Sequence, residues 1–223
     1  MSKNKFHPIL FSTPMVQALI EGRKTQTRRT KRLESINENP DNFKLLTSFD
    51  EPENLSTAFY TRNNGNLYVQ FMNGSKNHDI KCPYEMGDVL WVRETFRPID
   101  QEVGSPRFEY KATEKINLTD KWKPSLFMPK QACRTFLKIQ SIRVERLQEI
   151  SEKDAIAEGI LFKNHLEAGI VYENYLKDNT FLFYSVKSFS SLWRSINGEK
   201  SWQQNPFVWV YEFEKIDKPL DFI

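Results

Sequence analysis

Residues 21–29, EGRKTQTRR, set two hydroxyls, Thr25 and Thr27, among four cations, Arg23, Lys24, Arg28 and Arg29. A positioned ammonium beside a hydroxyl, inside a cationic lip, suits a nucleotide. Guanidinium and ammonium groups hold anionic oxygens, and a hydroxyl can become a nucleophile. The same residues also suit a solvated basic turn after a helix, and composition alone leaves both readings open. Other chemistries have less to build on. His7, His78 and His165 are scattered, with only a loose His78 and Cys82 pair. A zinc site needs about four such ligands. The chain has no Gly-rich phosphate loop and no G-x-S-x-G elbow. Neither a metal nor a cofactor is expected. Lys, Thr, Glu and Arg remain: a lysine whose pKa is lowered by burial or nearby cations can act as a base, and a carboxylate can shuttle a proton.

Two other places carry candidate binding groups. Arg93 and Glu94 end an apolar run, where neighbours on a strand point to opposite faces and so do not pair with each other. Glu94 shares its parity with Leu90, Val92 and Phe96, which puts it either at an exposed strand end or buried with a partner. A site role for this rim stands beside an ion pair in the core. Trp122 lies between Lys121 and Lys123. Such a loop could stack a base on the indole and hold phosphate, or tuck the indole beneath itself.

The elements that must position these groups are legible in part. Residues 8–11 predict a short strand. Thr13 is the expected cap of a helix with Pro14 at its first position, Val16, Leu19 and Ile20 as its buried stripe, and Gly22 as its stop. Residues 25–29 then predict a polar strand. Residues 33–56 read as loop, and 57–62 with 67–72 as a hairpin turning at Asn64 and Gly65. Residues 89–96 predict a strand, and 97–131 mostly loop around one strand at 108–112. A long strand at 133–147 changes face near Gln140 and Ser141, so a bulge is expected there. Ser151 opens a helix with acids in its first turn, Gly159 ends it, and Glu158 sits against the negative end of its dipole. Residues 161–184 give no assignment. Val186, Phe189, Leu192, Trp193 and Ile196 predict an amphipathic helix, and Phe207, Trp209, Tyr211 and Phe213 one face of a closing core strand.

The 223 residues are 39% hydrophobic, enough for a sizeable core. No apolar run approaches the ~20 residues of a membrane span and no signal-type run opens the chain, so a cytoplasmic protein without membrane contact is expected. Two cysteines fit a reducing compartment. Residues 1–32 carry a net +7 while the remainder carries −4. Such a local basic field suits an anionic partner such as nucleic acid, or serves solubility.

The stretch at 22–29, GRKTQTRR, after a short amphipathic helix, resembles the first signature of the ASCH domain family. GDVLWV at 87–92 is similar to its G-D-x-L-x-V strand, residues 147–159 to its capped helix ending in Glu-Gly, and residues 207–213 to its closing strand. The resemblance frames most of the chain. It implies an α+β fold, a single PUA-like β-barrel domain over 1–223 flanked by helices, with insertions at about 33–81 and 97–131. WVRET at 91–95 and SLW at 191–193 resemble longer members found in phages and prophages. Small bacterial members remove the acyl group from N4-acetylcytidine, using a lysine and a threonine of the first signature and a glutamate at the end of the capped helix. The matching positions are Lys24, Thr27 and Glu158. Other members are thought to bind RNA, and some are reported as nucleases. The expected partner is therefore RNA or a modified nucleoside, either hydrolysed or read by a non-catalytic module. Arg23, Thr25, Arg28, Arg29, Arg93, Glu94 and Trp122 are the candidate substrate-binding residues. None of the catalytic three belongs to an apolar stripe, so folding is expected to survive their loss.

Overall fold

The structure, a computed structural model, describes residues 5–46, 59–62, 66–99, 107–114, 121–177 and 180–222. Its strands are β1 (Phe6–Leu10), β2 (Gln26–Arg29), β3 (Lys44–Leu45), β4 (Phe59–Thr61), β5 (Leu67–Asn73), β6 (Lys76–Lys81), β7 (Val89–Arg93), β8 (Phe96–Ile99), β9 (Arg107–Tyr110), β10 (Phe136–Arg146), β11 (Phe162–His165), β12 (Gly169–Glu173), β13 (Phe181–Leu182) and β14 (Phe207–Ile216). The helices are α1 (Thr13–Ile20), α2 (Glu34–Asn37), α3 (Glu152–Ala157) and α4 (Ser185–Asn197). The fold is α+β. Its main sheet runs β1-β7-β10-β14-β2, with β1 parallel to β7 and the other pairs antiparallel. Among the described residues this path does not close into a ring.

β14 organises the interior because it is buried on both faces. Phe207, Trp209, Tyr211 and Phe213 enter the largest core with Phe11, Val16, Leu19 and Leu137. Val208 and Val210 face the other way, into a second core with Phe189 and Trp193 of α4. β10 pairs with β14 along its length, and the register shifts between Ile139 and Ser141, as the change of face predicts. The bulge lets Ile139 and Val144, of opposite parity, reach the same core.

Several expectations are corrected. Ser12, not Thr13, is the N-cap of α1, and its side chain makes no capping bond. Ile20 is exposed, and Ala18 takes its place in the buried face. Residues 33–56, expected as loop, carry α2 and β3. The expected hairpin of 57–62 with 67–72 is present as β4 and β5, extended by β6, and Val69 and Phe71 are fully buried in the main core. Phe71 meets Phe207 edge-on at 4.9 Å. The Asn64 and Gly65 turn lies outside the described residues. Residues 97–131 contribute to a ribbon, β8 with β9, in which Pro98 pairs opposite Phe108. A two-stranded ribbon leaves one side of each strand unpaired, which accommodates the missing N–H of proline. Residues 161–184 form the sheet β11-β12-β13. No helix among the described residues is long and apolar enough to cross a membrane.

Candidate active site

β2 is the outermost strand of the main sheet, so one of its edges is open. Its register places Thr27 opposite Tyr211 and Arg29 opposite Trp209, toward the main core. Arg28 lies opposite Val210 and faces α3 and α4. The turn before β2 depends on Gly22, whose φ of +73° a side chain would disfavour. The N–H groups of Arg23 and Lys24 both donate to the Ala18 carbonyl, at 2.9 and 3.0 Å. The chain thereby folds back so that Lys24 bridges Glu158 in antiparallel fashion. Glu158 is the C-cap of α3, whose start is capped by Ser151 accepting from the Asp154 N–H. Gly159 follows at φ +88°, and a Cβ there would lie 2.8 Å from the Cβ atoms of both Ala18 and Lys24. Only glycine lets the end of α3 seat this closely.

Glu158 spans the open edge of β2. Its Oε2 accepts from Lys24 Nζ at 2.9 Å, and its Oε1 from Arg28 Nη1 at 3.0 Å. Lys24 Nζ also donates to the Glu158 carbonyl at 2.8 Å, so it caps α3 as well as pairing with the carboxylate. These two cations offset the unfavourable placement of a negative charge at a helix C-terminus. Behind them, Arg28 pairs with Glu145 at 2.6 Å, and Arg143 binds Glu145, Asp154 and Glu212. The Lys24 and Glu158 side chains are 1% and 5% exposed. Burial pushes the Lys24 pKa below the ordinary lysine value, outweighing the opposing pull of Glu158. Thr27 is buried, and its hydroxyl has no protein hydrogen-bond partner.

A cavity of about 330 Å³ runs along this edge. Glu158, Arg28 and Arg29 supply its polar wall; Leu10 and Met15 line one side, Phe189 and Trp193 the other. Lys24 and Thr27 are not among the lining residues: Lys24 reaches the cavity through Glu158. Trp193, read from the sequence as part of the apolar stripe of α4, lines the cavity, and its indole N–H has no protein acceptor. The amphipathic pattern of α4 announces the helix but not that one side of its stripe faces empty space.

The binding candidates divide. Arg28 is buried in the ion network and is no surface phosphate contact. Arg29 crosses the Phe11 ring, 5.3 Å from its centroid, and donates to the carbonyls of Arg28 and Leu10. Arg23 holds the Gly159 carbonyl at 2.5 Å and pairs with Glu21, so it braces the turn. Thr25 is exposed and tied by its backbone to Ala157 and Phe213. Arg93 donates to the carbonyls of Met128 and Leu126. Glu94 is 1% exposed and held by Arg134 through two bonds of 2.8 and 2.9 Å; it is the buried ion pair, not a ligand group. The Arg97 guanidinium lies over the Trp122 ring, 4.8 Å from its centroid, and occupies the face on that side. No family model, no curated protein and no solved structure matches the chain.

Proposed function

We propose that the chain is a nucleoside-directed amidohydrolase of the ASCH type, on a PUA-like barrel, that cleaves the amide of N4-acylated cytidine. The observation that carries this reading is the Glu158 carboxylate on the wall of a cavity, 2.9 Å from the buried Lys24 amine. The cavity is at the small end of the ~300–1,000 Å³ of small-molecule sites. The five-stranded main sheet, with α1 following its first strand, is compatible with such a fold, and Lys24, Thr27 and Glu158 match by residue type those that the resemblance implies.

The chemistry follows from the pair. Transfer of one proton across the 2.9 Å contact turns an ammonium and a carboxylate into a neutral amine and a carboxylic acid. The amine then takes a proton from the Thr27 hydroxyl or from a water, and that oxygen attacks the acyl carbon. Arg29 and the Trp193 N–H are donors available to the carbonyl oxygen as it becomes anionic. Glu158 returns its proton to the exocyclic nitrogen as the C–N bond breaks. If Thr27 is the attacking group, the Lys24 proton passes again to Glu158, water gives a proton to Lys24 as it attacks the acyl ester, and Glu158 returns its proton to the departing Thr27 oxygen.

The test is hydrolysis of N4-acetylcytidine and other acylated nucleosides, with binding measured in parallel. Turnover that disappears in Glu158→Gln supports the reading. Folded wild-type protein inert on every acylated nucleoside overturns it. Tight binding without turnover would instead assign a modified-base-reading or RNA-binding module.

A further inference from the structure

A second cavity, of about 300 Å³, adjoins the first, and Arg29 and Leu10 line both. Three cations, Arg29, Lys31 and Arg93, and two phenols, Tyr84 and Tyr211, stand on its wall, and no carboxylate does. None of the three cations forms an ion pair with a carboxylate among the described residues, although Arg29 lies in the field of Glu158. Arg29 and Arg93 donate only to backbone carbonyls. Elsewhere in the molecule, buried or half-buried arginines are matched by acids, as Arg28, Arg134 and Arg143 are.

A second observation points to a ligand. Tyr211 is fully buried, lines this cavity, and its hydroxyl has no protein hydrogen-bond partner. Burial pushes its pKa up, so it remains an O–H donor. The wall therefore offers guanidinium, ammonium and phenol donors together. Such a set matches a group that only accepts, carries charge and presents several oxygens.

We propose that this second cavity is a phosphate subsite, so that the molecule acted on carries a phosphate beside the base held against Glu158. The placement of the base rests on the function proposed above; the placement of the phosphate rests on the cavity's own donors. That phosphate belongs either to a mononucleotide or to the backbone of an RNA strand. A third cavity continues from the second through Pro8, Lys31, Pro83 and Tyr84, and adds Lys5, Arg32 and Lys81 together with two acids, Asp88 and Glu85. Glu85 is paired with Lys5, and cations still outnumber carboxylates on this wall. Its extra cations give a strand somewhere to run.

The experiment measures equilibrium binding at fixed ionic strength for cytidine, cytidine 5′-monophosphate, inorganic phosphate and a cytidine-centred trinucleotide. The monophosphate is expected to bind at least about tenfold more tightly than cytidine, with inorganic phosphate competing against it. Lys31→Ala changes an exposed side chain and Tyr211→Phe keeps the ring. Each is expected to weaken the monophosphate several-fold and leave cytidine unchanged. Equal affinity for cytidine and its monophosphate overturns the subsite while the nucleoside reading stands. If neither of these nor N4-acetylcytidine binds, the nucleoside reading fails. The subsite then stands only if phosphate or the trinucleotide binds in a Lys31- and Tyr211-dependent way, and falls otherwise. A trinucleotide that binds more tightly than the monophosphate assigns the phosphate to a strand; equal binding assigns it to a mononucleotide.

Discussion

A hydroxyl buried without a partner, as at Thr27, costs about 1–3 kcal/mol. Such a cost is tolerated where the group has work to do. Thr27→Val keeps the shape and removes the polar atom. It is expected to raise stability by about 1 kcal/mol, and to abolish turnover if Thr27 is the attacking oxygen but spare it if water is, measured by denaturant midpoint and by hydrolysis rate. A destabilised Thr27→Val would mean that the hydroxyl is satisfied and structural. Lys24 supplies the pH dependence. Its folded pKa lies below the ordinary 10.5, with burial the main cause. Between the lowered value and 10.5 the unfolded chain binds more protons than the folded one, so raising the pH through that window stabilises the fold. Because the mechanism uses the one proton that Lys24 and Glu158 share, turnover is expected to fall as the pH rises through the lowered Lys24 value. A pH–rate profile whose falling limb sits at or above 10.5 would remove Lys24 from the base role. The expectation that folding tolerates loss of this pair does not fit its burial. Removing one partner leaves the other charge uncompensated, at roughly 3–5 kcal/mol, so near-isosteric variants such as Glu158→Gln are the better kinetic probes.

Two short elements meet at Gly159, and their meeting assembles the site. α3 alone is too short to be stable. It is held by packing, by the Lys24 cap on its last carbonyl and by Arg23 on the Gly159 carbonyl. Gly159→Ala forces a Cβ to within 2.8 Å of Ala18 and Lys24, at a φ that favours glycine. It is expected to cut turnover by at least about tenfold with Lys24, Thr27 and Glu158 all present, and to lower the melting temperature. Unchanged activity in Gly159→Ala would mean that the close seating of α3 is incidental to the chemistry.

The molecule as a whole hangs on β14, which faces a core on each side. Trp209 is fully buried against Phe59 and Tyr211. Trp209→Ala is expected to cost roughly 3–5 kcal/mol, read from chemical denaturation. Trp122→Ala, on the β8–β9 ribbon beneath Arg97, is expected to leave nucleoside affinity unchanged. A loss of affinity there would assign the indole a base-stacking role. The basic stretch of residues 1–32 has a similar lesson. Much of its charge is turned inward: Lys24 and Arg28 neutralise Glu158, and Arg29 lies between two cavities. The exposed field is smaller than a count of cations implies.

Periodicity and cap chemistry are local properties, and they sufficed for α1 and its glycine stop, the Ser151 cap, the α4 helix, the β10 bulge and the alternating face of β14. Lys24, Thr27 and Glu158 are singled out by the family resemblance; local signals supply only their settings, a glycine turn before Lys24 and a helix end at Glu158. Partnership is not local. Glu94 could have been ligand or ion pair until Arg134, 40 residues on, closed on it. Trp122 could have had both faces open until Arg97 lay over one of them. The cavities could not be read at all, because an empty space between α1, α4 and the open edge of β2 belongs to no segment. Which buried groups go unpartnered, Thr27, Trp193 and Tyr211 among them, is decided only when every other element has taken its place.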